Sequence, residues 1–140
     1  MEERRYTLNK TERLCSKKLI ERLFAGGNKS FPSFPLRVVY MTLETEETTA
    51  DASILISVPK KRFKHAVKRN LVKRQIREAY RKNKHLLLDT INGGKCKLAL
   101  AFIYLSNELL ETDVINNKMK VALQRVAEQC SSKEEKQANN

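Results

Sequence analysis

Between Ser16 and Ala25 the apolar residues Leu19, Ile20, Leu23 and Phe24 recur at helical spacing, which places them on one face of a short helix. Ser16 is its expected N-cap and Gly26-Gly27 its stop, with Lys17, Lys18, Glu21 and Arg22 on the outer side. Residues 28–35 include Phe31-Pro32-Ser33-Phe34-Pro35 and read as a loop, because proline cannot donate to a sheet ladder. Leu36–Leu43 (LRVVYMTL) is rich in β-branched and aromatic types and predicts a strand, whole or split by a bulge. The acidic, Thr-rich Glu44–Asp51 lacks periodicity and reads as a hairpin connection to a second strand, Ala52–Val58, which Pro59 ends. His65 to about Lys84 has no Gly or Pro and predicts the longest central helix, which Leu86-Leu87-Leu88 could extend as far as the breaker Gly93-Gly94.

Lys97–Leu105 (KLALAFIYL) is almost continuously apolar, as a buried central strand should be. A last helix starts at Ser106-Asn107 or at the capping pair Thr112-Asp113. Leu109, Leu110, Val114, Ile115, Met119, Val121, Ala122, Val126 and Ala127 are candidates for its buried side. Residues 1–15 read as a partly ordered polar arm and residues 131–140 as a disordered tail. The order is helix, strand, strand, an optional third strand, helix, strand, helix: an α+β domain with one sheet.

The length of 140 residues and a hydrophobic content of 41% suit one core and one domain, placed here over residues 1–130. A wholly disordered chain and a multi-domain enzyme are excluded. No apolar run approaches the ~20 residues of a membrane span. The stretch Met1–Tyr6 has no apolar signal core. Cys15, Cys96 and Cys130 are scattered and odd in number, which reads as inert thiols in a reducing cytosol. The expected location is therefore cytoplasmic, with no membrane partner.

Charge changes this picture. The formal net charge is +12, and Pro59–His85 holds twelve Lys/Arg against the single acid Glu78, a net +11. Charge gathered in one window implies an anionic partner, nucleic acid first. On a helical wheel with Arg69 at zero, Lys73, Arg77, Asn70, Arg81 and Arg74 follow within roughly 140°. Val72, Ile76, Ala79 and Tyr80 form the adjoining apolar side, while Val67 and Leu71 fall outside both faces. An ordinary solvated helix would interleave acids at i+4 spacing. Here only Glu78 is present, with Arg74 or Lys82 as expected partners. Arg chelates phosphate bidentately, Lys acts as a point charge, and Asn70 suits a base edge or a 2′-hydroxyl.

Val58-Pro59-Lys60-Lys61 followed by Ala66–Glu78 (AVKRNLVKRQIRE) closely resembles the A-V-x-R-N-R-x-K-R-x-x-R-E signature of the bacterial ribonuclease P protein subunit family. Leu14 with Ser16–Gly27 is similar to that family's first helix and glycine stop, and Leu36–Tyr40 to its first strand. The resemblance covers about residues 8–128. It departs at Leu71, where the family has the third motif residue as Arg, and at Ile20, where the first of two phenylalanines is usual.

The resemblance implies an αβββαβα single domain like the second domain of ribosomal protein S5, with a left-handed βαβ crossover around the basic helix. It implies a noncatalytic subunit of an endoribonuclease that removes the 5′ leader from precursor tRNA. The catalytic RNA uses Mg²⁺, and the protein carries no cofactor of its own. The implied partners are that RNA and precursor tRNA, with a monomeric protein in a 1:1 complex with the RNA. Lys60, Lys61, Arg62, Lys64, Lys68, Arg69, Asn70, Lys73, Arg74, Arg77 and Arg81 would face RNA. Ile20, Phe24, Leu36 and Tyr40 would line a cleft for the single-stranded leader, although Phe24 suits a plain core role equally well.

No catalytic constellation is visible. His65 and His85 lie in Lys-rich surroundings that disfavour imidazolium. No metal ligands have zinc spacing. Glu44, Glu46, Glu47 and Asp51 sit in the expected connection, and Glu78 stands alone beside the basic band. Two other readings stay open: a structural ribosomal protein of the same fold, and a DNA-binding module using His65–Lys84 as recognition helix. The latter lacks a short helix–turn–helix spacing ahead of the helix.

Overall fold

In the computed structural model, which describes residues 12–26, 28–43, 51–91 and 97–138, eight elements follow one another. They are α1 (Lys17–Phe24), β1 (Lys29–Ser33), β2 (Leu36–Leu43), β3 (Ala52–Ser57), α2 (Ala66–Asn83), α3 (His85–Ile91), β4 (Lys97–Tyr104) and α4 (Thr112–Ala138). This is the expected α+β order αβββαβα, with the central helix divided at Lys84 so that Leu86–Leu88 belong to α3. The helix α4 starts at the Thr112-Asp113 capping pair and runs to Ala138, across the point at residue 131 where the tail was expected to begin. The polar arm before Glu12, the Gly27 half of the α1 stop, residues 44–50 of the acidic connection and Gly93-Gly94 lie outside the described residues.

Two strand expectations are corrected. Lys29–Ser33 is not a loop but strand β1, antiparallel to β2, with Pro32 opposite Arg37. In the sheet order β1-β2-β4-β3 this strand is an edge, where a missing N–H costs no second ladder. Ala52–Ser57 does not form a hairpin with β2. It pairs in parallel with β4, and β4 lies between them, antiparallel to β2 without a bulge. Apolar alternation fixes which face a strand buries, not which neighbour it takes.

The sheet has two unequal faces. Leu36, Val38, Tyr40, Ile54, Leu98, Leu100, Phe102 and Tyr104 point to one face, where Val72, Ile76 and Tyr80 of α2 and Ile115, Met119, Leu123 and Val126 of α4 close the main core. Full burial of such side chains contributes about 1.5–3 kcal/mol each. Leu123 belongs to this core although it was not among the expected residues. Leu109, Val114 and Val121, which were, are exposed: Leu109 lies in the loop ahead of α4, and a 3.6-residue period leaves Val114 and Val121 on the outer side of a helix packed along one stripe. The other face carries Val39, Met41, Leu43, Leu55, Ala99 and Ala101 under Leu19, Ile20 and Leu23 of α1.

Local signals position α1. Ser16 Oγ accepts from the Leu19 N–H, and Gly26, at φ 99°, takes the left-handed conformation that ends a helix. Asn28 Nδ2 donates to the carbonyls of Arg22 and Leu23, both at 2.8 Å, satisfying two orphan acceptors of the last turn. Beyond β3, the Leu14 N–H donates to Ile54 O at 2.7 Å, so the N-terminal segment covers part of that sheet edge. There Lys84 Nζ meets Glu12 Oε2 at 3.0 Å, both side chains about one-tenth exposed.

Candidate nucleic-acid interface

The basic turn is held by its apolar member. Phe63 is buried against Tyr104, with ring centroids 6.0 Å apart, and the Arg62 N–H donates to Pro59 O. Lys60, Lys61 and Lys64 are therefore left outward and exposed, with Arg62 half-buried. Arg69 reaches back from α2, and its Nη1 donates to Phe63 O at 2.8 Å and to Lys64 O at 2.9 Å. One guanidinium thus ties the turn to the helix while lying beside it.

Along α2 the buried positions are Val72, Ile76, Ala79, Tyr80 and Asn83, with α4 and the sheet against them. Lys68, Asn70, Arg74 and Arg77 are exposed, and Arg69, Lys73 and Arg81 half-buried. All eleven expected RNA-facing residues therefore keep solvent access, on the turn and along α2. Glu78 pairs with Arg81, not with Arg74 or Lys82. Arg81 Nη2 lies 2.7 Å from Oε2 and Nε 3.2 Å from Oε1, a two-pronged contact that the guanidinium fork makes at i+3. That hydrogen bond, together with the charges of Arg81, Lys82 and Arg77, holds the Glu78 carboxyl below its usual range against slight desolvation. The band's single acid is thereby neutralised by a neighbour. Val67 is 80% and Leu71 43% exposed, an apolar pair next to the cations.

The expected cleft needs correction. Ile20 and Phe24 lie on α1, but Leu36 and Tyr40 point to the opposite face of the sheet. Tyr40 stacks edge-on with Phe31 and its hydroxyl donates to Gln129 on α4. Burial raises its hydroxyl's pKa. The error is one of parity: successive side chains on β2 alternate faces, so the residues on the α1 side are Arg37, Val39, Met41 and Leu43. Small Ala99 and Ala101 pave β4 there, and α1 is only eight residues long. The uncovered margin holds half-buried Val39, Leu55 and Ile103, exposed Arg37, and Phe24 at 46% exposure. A concavity of about 370 Å³ continues past the end of α1, lined by Arg22, Ala25, Asn28, Lys29, Tyr40, Met41 and Thr42.

Sequence reasoning also missed Gln75 and Asn107. Gln75 Nε2 donates to Leu110 O and Thr112 Oγ1, at 3.1 and 3.2 Å, and Asn107 Oδ1 accepts from Arg62 Nη1 at 3.2 Å. These contacts join residues 35 to 45 apart in the chain, which no local pattern marks. Among the described residues no three His, Cys, Asp or Glu side chains gather where they could hold a metal, and no helix is long and apolar enough to cross a membrane.

Comparison with known proteins places these surfaces in context. A family model described as Ribonuclease P matches residues 8–127. A Porphyromonas gingivalis ribonuclease P protein component is 45% identical over 122 residues, which is 87% of this chain and 88% of that protein. The fold superposes on the Staphylococcus aureus RNase P protein with a TM-score of 0.63 at 22% identity, covering 82% of this chain and 94% of that one. On the Thermotoga maritima RNase P protein the TM-score is 0.62 at 23% identity, covering 81% and 96%.

Proposed function

The chain belongs to the ribonuclease P protein family, and from that premise we propose how its surfaces divide the work. It is the noncatalytic protein subunit of the endoribonuclease that removes the 5′ leader of precursor tRNA, and it associates with the ribonuclease P RNA and with precursor tRNA. The ribosomal and DNA-binding alternatives lose their support with that match. In our reading the basic turn and α2 bind the catalytic RNA through Lys60, Lys61, Arg62, Lys64, Lys68, Asn70, Lys73, Arg74 and Arg77. Arg69 holds the turn in place and Arg81 silences Glu78. The observation that carries this reading is the outward band of cations whose only interleaved acid is already paired. The Mg²⁺ that drives cleavage belongs to the RNA, and one protein acts per RNA, in the cytoplasm, as a single domain.

The leader runs, in this proposal, over the open margin of the α1 face. Ile20, Phe24, Val39 and Met41 offer apolar surface for bases, and Arg22, Lys29 and Arg37 offer charge for phosphates, the combination that holds single strands without a base code. Leu36 and Tyr40 support the sheet from beneath. Reconstituted enzyme should bind precursor tRNA with a leader of several nucleotides more tightly than one with a single-nucleotide leader. Phe24→Ala should erase about fivefold of that preference, the worth of one stacked base. A preference unchanged by Phe24→Ala and by Arg37→Ala would move the leader off this face.

A further inference from the structure

A second concavity, of about 440 Å³, lies between the basic turn and the loop joining β4 to α4. One wall is cationic, through Arg62, Lys64 and Lys68, with His65 beside them. The facing wall is not: Asn107, Glu108 and Leu109, the last 43% exposed. Cations alone would suit any stretch of phosphodiester. A carboxylate and an apolar side chain set opposite them suit a ligand with one anionic end and one flat, weakly polar end. The Glu108 carboxylate repels phosphate from its own wall and accepts hydrogen bonds from base amino or imino groups, as an acid does from cytosine N4. Leu109 offers apolar contact to a base face, and the Asn107 amide a further polar edge.

The loop wall is braced. Tyr104 Oη donates to Glu108 O at 2.7 Å, the Glu108 N–H donates to Ser106 Oγ at 3.0 Å, and Arg62 ties Asn107 to the turn. Gln75 fastens the far end at Leu110 and Thr112. A groove held open by its own hydrogen bonds binds without a large ordering cost.

We propose that this groove receives one unpaired nucleotide of the ribonuclease P RNA, its phosphate against Arg62, Lys64 and Lys68 and its base between Leu109, Glu108 and Asn107. The inference rests on the RNA-binding reading of α2 and adds to it a second wall and a nucleotide-sized contact.

The test is titration of a bacterial ribonuclease P RNA, transcribed in vitro, with full-length protein over a range of salt. Leu109→Ser is an exposed loop change and should weaken binding about fivefold with the salt slope unchanged, because an apolar contact releases no counterion, whereas Lys68→Ala should weaken it and reduce the slope by about one. Unchanged affinity in Leu109→Ser, with Lys68→Ala still weakened, would leave only a phosphate contact and overturn the proposal. If both groove variants bind normally while Arg74→Ala is weakened, the groove lies outside the interface and the reading of α2 stands. If Arg74→Ala binds normally as well, the reading of α2 fails with it.

Discussion

Replacing Lys73, Arg74 and Arg77 together by Ala is expected to weaken binding of a ribonuclease P RNA by about 100-fold near physiological salt, and to lower the slope of log affinity against log salt by two to three. The size follows from about 1 kcal/mol for each exposed charge-assisted hydrogen bond removed, three times over. Their environment sharpens this expectation. Arg74 and Arg77 are exposed, Lys73 half-buried, and Glu78, the acid nearest to them in sequence, is paired with Arg81. Arg69 should respond differently from Arg74. Its guanidinium joins two carbonyls of the basic turn, which one ammonium group cannot reproduce in the same fork geometry. Arg69→Lys should therefore lose about as much affinity as Arg69→Ala, whereas Arg74→Lys keeps most of it. Filter binding across a salt series reads all of these. Equal affinity and equal slope for the triple variant would remove α2 from the interface.

Lys84→Met should destabilise the fold by about 3–5 kcal/mol, because it removes the ammonium that faces the buried Glu12 carboxylate. The pair spans 72 residues of sequence and joins the N-terminal segment to the α2–α3 junction, next to the buried Tyr80. Burial, reinforced by the nearby Glu12 charge, pushes the Tyr80 hydroxyl's pKa well above its usual value. Removing both partners, as in Glu12→Leu with Lys84→Met, should recover much of the loss, since an ion pair in such a site contributes little net stability over apolar packing. Urea denaturation measures the cycle. A loss under about 1 kcal/mol for Lys84→Met would mean that Glu12 is not held there in solution.

Local chemistry made much of this legible. The spacing from Leu19 to Phe24 with Ser16 ahead defines α1 within a residue, and the buried stripe of α2 falls on the expected Val72, Ile76, Ala79 and Tyr80. The β-branched and apolar runs mark β2 and β4. What failed needed information that one segment does not hold. Pro32 argued against a strand until the order of the sheet made Lys29–Ser33 an edge. Ala52–Ser57 could not announce β4 as its partner, because α2 and α3 separate the two strands in the chain. The resemblance joins Leu36 and Tyr40 to Ile20 and Phe24, but the pleat turns Leu36 and Tyr40 to the face opposite α1. The outward side of the basic helix was readable from residue types. The fork of Arg69, the Arg81–Glu78 pairing and the clamps of Gln75 and Asn107 depend on rotamers and on loops brought together by the fold.

Above all, this protein contributes binding and leaves the chemistry to RNA. The direct measurement is cleavage of a precursor tRNA at low Mg²⁺ by a bacterial ribonuclease P RNA, with and without the protein, alongside the protein alone. Accurate removal of the 5′ leader is expected only when both are present, with no cleavage by the protein alone. Cleavage by the RNA that stays unchanged when bound protein is added, or leader removal by the protein without RNA, would contradict this division of labour.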